Sequence, residues 1–229
     1  MIINKKEFSG GLALLAAFFI VLAVMFQPIF DGKNAMAYLD AMYNSISKGS
    51  VNYVAPLRDE VKDPAVKKDL TLKLTYTTGV QAEQSAKLFE KAGVKVSLNG
   101  KALEVTGSVV DILNASLDDA ELMYHNDAEA LEGKYGVEAR RTTFNWWTSL
   151  GLMEKALNGQ EEFKVAKVTS TVMKKAVETA YNYYEIEPLD ITDELGLVIF
   201  SLIFYVVYTL WYGFAILFVF EGWGLNLGH

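Results

Sequence analysis

The chain has 229 residues, 52% of them hydrophobic, with 21 Lys and Arg set against 28 Asp and Glu for a formal net charge of −7. Cysteine is absent, which excludes disulfides, thiolate zinc sites, iron–sulfur clusters ligated by this chain and covalently attached c-type haem. Lys5, Lys6, Glu7 and Glu221 cancel, so the segment between the two long apolar stretches carries the whole negative charge, which argues against nucleic acid or an anionic lipid surface as its partner.

Residues 1–7 lead into an uncharged run from Phe8 to Phe30, 23 residues long. A bilayer core needs about 20 apolar residues in a helix, so 8–30 reads as a first transmembrane helix. Gly10, Ala13 and Ala17 share one face at helical spacing, with Gly11 and Ala16 beside them, and small faces let membrane helices approach closely. Gln27 and Pro28 mark the exit. A cleaved signal peptide is the competing reading. The run is long for one, and no small-x-small site precedes Asp31. Lys5 and Lys6 place the N-terminus in the cytoplasm by the positive-inside rule.

Residues 31–136 read as an α+β domain outside the cytoplasm. Asn34 to Lys48 forms an amphipathic helix with Met36, Leu39, Met42, Tyr43 and Ile46 on one face and Gly49 as its C-cap, packed on the domain's own core. Leu70, Leu72, Leu74 and Tyr76 alternate with polar residues as in a half-buried strand. Ala82, Ala86 and Phe89 give a helical face ending at Gly93. Val94, Val96 and Leu98 form a second strand, Asn99-Gly100 the turn, and Leu103 and Val105 a third. Ser108 caps a helix carrying Val109, Ile112 and Leu113. The order is most of a split βαβ unit, with a small antiparallel or mixed sheet covered by helices and a fourth strand expected from Val51 to Val54.

From 137 to 187 the pattern is a helical hairpin. Trp146, Leu150, Met153 and Leu157 line one face of its first helix, which ends at Asn158-Gly159. The second runs from about Gln160 to Tyr184, with Val165, Val168, Val172, Met173, Ala176 and Ala180 inward. A linker, 188–194, leads to a second transmembrane helix, 195–220, whose Tyr205, Tyr208, Trp211 and Tyr212 need hydrogen-bond partners at mid-bilayer depth and so point to packing on other membrane helices. Residues 221–229 are expected to be a cytoplasmic tail too short for an output domain.

Chemistry-bearing motifs are sparse. His125-x-Asp127-x-Glu129 lacks the three compatible ligands of a useful metal site and reads as a solvated segment. Asp118, Asp119 and Glu121 lack EF-hand alternation and read as a charged helix face. Gly133-Lys-Tyr-Gly136 is too short for a phosphate loop. Neither span holds an ionisable residue, so the chain alone offers no proton or ion path. No cofactor is implied. The unusual stretch is Arg140-Arg141-Thr-Thr-Phe144-Asn-Trp146-Trp147, since Arg and Trp are enriched at interfaces. The expectation is an α+β protein of the inner membrane with both termini cytoplasmic and the middle domain periplasmic. Its expected role is a non-catalytic scaffold or docking subunit that binds other membrane subunits or a second copy of itself. A ligand sensor signalling through a partner is the alternative, and a membrane-anchored enzyme the third reading.

Overall fold

A computed structural model describes residues 2–225; residues 226–229 of the expected tail lie outside it. The fold is mixed, with ten α-helices and one small three-stranded antiparallel sheet among the described residues. Two of the helices are long and apolar enough to cross a membrane. The chain divides into two compact units. The residues up to Gly49 together with those from Pro188 onward form one, and Ser50–Glu187 the other.

The first unit contains α1 (Lys5–Met25), α2 (Ala35–Ser50) and α10 (Leu195–Trp223). Asn4 caps α1, its side-chain oxygen accepting from the N–H groups of Lys6 and Glu7. The helix stops at Met25 rather than reaching Phe30, because Pro28 cannot continue it. At 1.5 Å per residue its 21 residues give about 31 Å, close to the bilayer core. At the other end α10 runs three residues past Phe220, which puts Glu221 inside the helix.

α1 and α10 pack antiparallel. Phe8 meets Trp223 edge to face, and Phe18 stacks on Tyr208 at 4.2 Å. The close approach between them falls at Gly11, where a Cβ would lie 2.6 Å from the Val219 nitrogen and 2.9 Å from the Phe218 Cβ. Gly10 has nothing within 4 Å and Ala13 is exposed, so the small-residue face anticipated at Gly10, Ala13 and Ala17 is not the one α10 uses. The seam instead follows Phe8, Gly11 and Phe18 against Tyr208, Trp211, Ala215 and Gly222, whose steps of 3, 4 and 7 residues are those of antiparallel coiled helices.

Two of the four mid-helix polar aromatics of α10 find hydrogen-bond partners within the chain. Tyr208 donates its hydroxyl hydrogen to the Phe18 carbonyl at 2.9 Å, and the Trp211 indole N–H donates to the Leu14 carbonyl at 3.1 Å. A helical carbonyl has a second lone pair, so both bonds form without breaking the α1 ladder. Tyr212 also lies against Phe18, with ring centroids 5.0 Å apart, whereas Tyr205 is 70% exposed and makes no such contact with α1. Only 6% of each helix's most apolar stretch is buried, seam included, unlike the core helix of a soluble protein.

α2 groups with the spans and contributes nothing to the hydrophobic core of 50–187, in contrast to the packing expected from its periodicity. Tyr43 and Ser201 hydroxyls are 2.6 Å apart, and the Leu189 N–H donates to the Ser45 carbonyl. Gly49 is not a C-cap, since the helix runs on to Ser50. A Cβ there would lie 2.6 Å from the Leu189 carbonyl oxygen, so the glycine allows the two strands of chain entering and leaving the first unit to touch.

The second unit has the sheet order β1-β3-β2, with β1 (Asp69–Thr75), β2 (Lys95–Asn99) and β3 (Ala102–Ser108) all antiparallel to their neighbours. β1, α4 (Gly79–Lys91) and β2 form the split βαβ, with β3 between the two strands. Leu72, Leu74, Leu103 and Val105 point to the core, and Lys73, Thr75, Glu104 and Thr106 away from it. The hairpin pairs Asn99 with Ala102, so its central residues are Gly100-Lys101 rather than Asn99-Gly100, with Gly100 at φ 60°. The expected fourth strand is absent among the described residues. Residues 54–61 instead form α3 (Val54–Val61), burying Val54, Leu57 and Val61 at helical spacing and tolerating Pro56 in the first turn, where its missing N–H costs nothing.

α5 (Val109–Tyr124) and the short α6 (Ala128–Tyr135) lead to α7 (Ala139–Gly159), which buries Trp146, Leu150, Met153 and Leu157. The return arm starts only at α8 (Phe163–Val172), after a turn with Glu161 at φ 62°. It passes through a π-turn (Met173–Val177) and ends as α9 (Glu178–Asn182). The π-turn shifts the helical phase, so Met173, Ala176, Val177 and Ala180 all stay inward.

The span seam gives a paired test. Gly11→Ile should destabilise the full chain in detergent by on the order of 1–3 kcal/mol through overpacking, read as a lowered melting temperature, whereas Gly10→Ile should leave it nearly unchanged. Equal effects would contradict this seam.

Candidate functional site

The Arg140–Trp147 stretch lies in the first half of α7, and a polar ladder to α4 fixes how that helix is turned. Gln81 donates to Asn145 at 3.4 Å and to Thr148 at 3.2 Å, while Asn145 and Arg141 both donate to the Gln84 side-chain oxygen, at 3.0 and 3.1 Å. Successive helical residues are about 100° apart, so this rotation sends one tryptophan inward and the next outward.

Trp146 goes inward and is 1% exposed, so it belongs to the core and not to an interface. It packs edge to face on Phe89, and its indole N–H donates to Asp119 at 2.6 Å. The same carboxylate accepts from the Tyr135 hydroxyl at 2.5 Å and from the Lys134 ammonium at 2.7 Å. Asp119 is itself 1% exposed, so it is no part of a solvated helix face. A buried carboxylate is costly unless paired and hydrogen-bonded, and three donors meet that requirement here. The sequence held a signal for it: Ile112, Ser116, Asp119 and Met123 form one buried stripe of α5 at 3- and 4-residue steps. Burial first, then the negative charge of Asp119, push the Tyr135 phenol far above its ordinary range. Burial also raises that of Tyr76, which bonds Ser149 at 2.8 Å.

Trp147 goes outward, 39% exposed, and stacks on the 38%-exposed Phe144 with ring centroids 6.0 Å apart. Its N–H donates to Glu178 at 3.0 Å. Phe144, Trp147, Glu178, Tyr181 and Asn182 line a shallow groove of about 270 Å³ just past the π-turn. Around this groove, Arg141 lies over the Phe144 ring, and Arg140 lies over Tyr184 while pairing with Glu185 at 2.7 Å. The Arg140 pair is exposed and contributes little to stability. Arg140, Arg141, Phe144 and Trp147 thus share one amphipathic surface of aromatic faces and guanidinium groups.

The remaining polar motifs have local roles. Asp127 caps α6 by accepting from the Ala130 N–H, and His125 ends α5 with its ring edge to face on Tyr124. Asp118 and Glu121 both pair with Arg58, at 2.6 and 2.9 Å. Among the described residues no group of three His, Asp or Glu side chains is placed to hold a metal ion. No protein-family model, no curated protein and no solved structure matches the chain.

Removing the Asp119 carboxylate leaves two buried donors without an acceptor, so Asp119→Ala should cost about 3–5 kcal/mol in denaturant unfolding, and Asp119→Asn less. Trp147→Ala should cost under about 1 kcal/mol as a surface change. The alkaline limb follows from the tyrosines. With the phenols of Tyr76 and Tyr135 raised in the folded chain, the stability they contribute is complete below about pH 10 and is lost as pH climbs toward their folded values. The unfolding midpoint should therefore drop above pH ~10, and less steeply in Tyr135→Phe measured against its own neutral-pH value.

Proposed function

We propose that the chain is a non-catalytic, two-span subunit of a membrane complex in the inner membrane, with 50–187 carried outside the cytoplasm as a docking or scaffold domain. One observation carries the reading. The two polar side chains that meet in the α1–α10 seam are satisfied there, by the Tyr208–Phe18 and Trp211–Leu14 bonds, while most of the outer surface of the pair is apolar and open. Water does not stabilise such a surface and a bilayer does, since every polar group in hydrocarbon must be satisfied from within.

Lys5 and Lys6 at the start of α1 favour an orientation with both ends of the chain cytoplasmic. Two surfaces support a role in assembly. Gly10 and Ala13 lie off the α1–α10 seam, free for a neighbouring helix to approach. In the middle unit, Phe144 and Trp147 present aromatic area beside Arg140 and Arg141, the residue types that dominate binding energy at interfaces. The partner is another membrane subunit or a second copy of this chain.

Two experiments test this. A cysteine introduced as Ser50→Cys in this cysteine-free chain should react with an impermeant maleimide from outside intact cells or spheroplasts; reaction only from the cytoplasmic face would overturn the orientation. The double variant Arg141→Ala/Trp147→Ala should lose its co-purifying chains or its oligomeric state in mild detergent while its melting temperature stays close to wild type. A wild-type chain that purifies as a stable monomer would contradict the subunit reading.

A further inference from the structure

The ends of the two spans and the start of α2 enclose a groove of about 420 Å³, with walls that include Ile20, Val24, Tyr38, Leu39, Leu197 and Phe204. Its depth follows from the seam. Gly11 meets Ala215 and Phe18 meets Tyr208, so residues 20–25 and 197–204 lie up to about three turns further along, at the end of the pair from which α2 departs. Under the membrane reading above, on which this inference rests, that is the acyl region of the leaflet on the domain side.

The Ser201 and Tyr43 hydroxyls at the groove are committed to each other and to the backbone, which leaves the Tyr38 phenol as the polar tip in its walls. Ser201 donates to the Val198 carbonyl at 2.8 Å, which leaves Tyr43 to donate to Ser201 and so fasten α2 to α10 at the groove's edge. The walls that remain are almost wholly carbon, and they offer a ligand contact rather than hydrogen bonds.

We infer that this groove holds one acyl chain of a membrane lipid. Size favours a chain over a helix. An α-helix 10–12 Å across fills roughly 400–600 Å³ per turn, so the groove accommodates one turn of a partner helix and no more, whereas a slim polymethylene chain lies along it. Its volume falls within the range of ordinary small-ligand sites, roughly 300–1,000 Å³. Composition favours the same occupant, because an apolar cleft between two lipid-facing helices is open to the hydrocarbon around them. The bound chain completes the contact between α2 and the two spans, which ties the start of the middle segment to the bilayer.

The test uses the full chain reconstituted in phosphatidylcholine vesicles doped with a phospholipid that carries a diazirine in one acyl chain, with crosslinks mapped by mass spectrometry. Labelling at Val21, Leu39 and Leu197 should fall several-fold when the groove is filled by Val24→Trp, and again with Ala35→Phe as an independent variant, while labelling at the outward-facing Leu12, Phe19 and Leu210 is unchanged. Native mass spectrometry should show one retained phospholipid per wild-type chain after detergent washing and none in the filled variants. If the outward positions label but the groove positions do not respond to filling, the lipid site is overturned and the membrane reading stands. A wild-type chain that retains no phospholipid in native mass spectrometry would overturn it as well. If no position labels at all, including Leu12, Phe19 and Leu210, the membrane reading itself fails.

Discussion

Two hydrogen bonds set the arrangement of the two long apolar helices α1 and α10: Tyr208 to the Phe18 carbonyl and Trp211 to the Leu14 carbonyl. In hydrocarbon a phenol or indole donor cannot be left to solvent, and each unsatisfied group costs several kcal/mol. Meeting that demand inside the chain fixes the register of α1 against α10 and brings Gly11 against the backbone at Val219. It also fixes which surfaces point outward. Gly10, Ala13 and Tyr205 are directed away from the seam by the same rotation that buries Gly11 and Ala215.

The middle unit solves a related problem with a charge. Asp119 sits inside an apolar core, where an isolated carboxylate would shift its protonation or unfold the site. Lys134, Tyr135 and Trp146 converge on its two oxygens from α6 and α7. The node therefore joins three helices, and together with the Gln81–Asn145–Gln84 ladder it sets the rotation of α7. That rotation is what exposes Trp147 and Phe144. The candidate interface is thus a consequence of a buried polar arrangement on the opposite side of the same helix.

Much of this was legible in the sequence, and the failures have physical causes. The alternation from Leu70 to Tyr76 and the 3.6-residue stripe from Trp146 to Leu157 each report a periodicity that survives folding, and the two long apolar runs report helices by length and composition alone. The 51–54 segment departs from the strand expected there because a short apolar run has no decisive period; Leu57 and Val61 beyond Pro56 complete a helical stripe that a four-residue window does not reach. As a carboxylate Asp119 reads as solvated by residue type alone, whereas its spacing from Ile112, Ser116 and Met123 puts it on the buried face. The choice between Gly10 and Gly11 rests on a rotation of about 100°, which neighbouring small residues do not encode but Tyr208 and Trp211 do. The placement of α2 with the spans depends on contacts to Ser201 and Leu189, over 140 residues away, which no local pattern carries.

The central claim is that α1 and α10 lie in a bilayer, and alkaline carbonate extraction of membranes from cells expressing the full chain tests it most directly. The account predicts that the protein stays in the membrane pellet and is released only by detergent. Recovery of folded protein in the carbonate supernatant would contradict it.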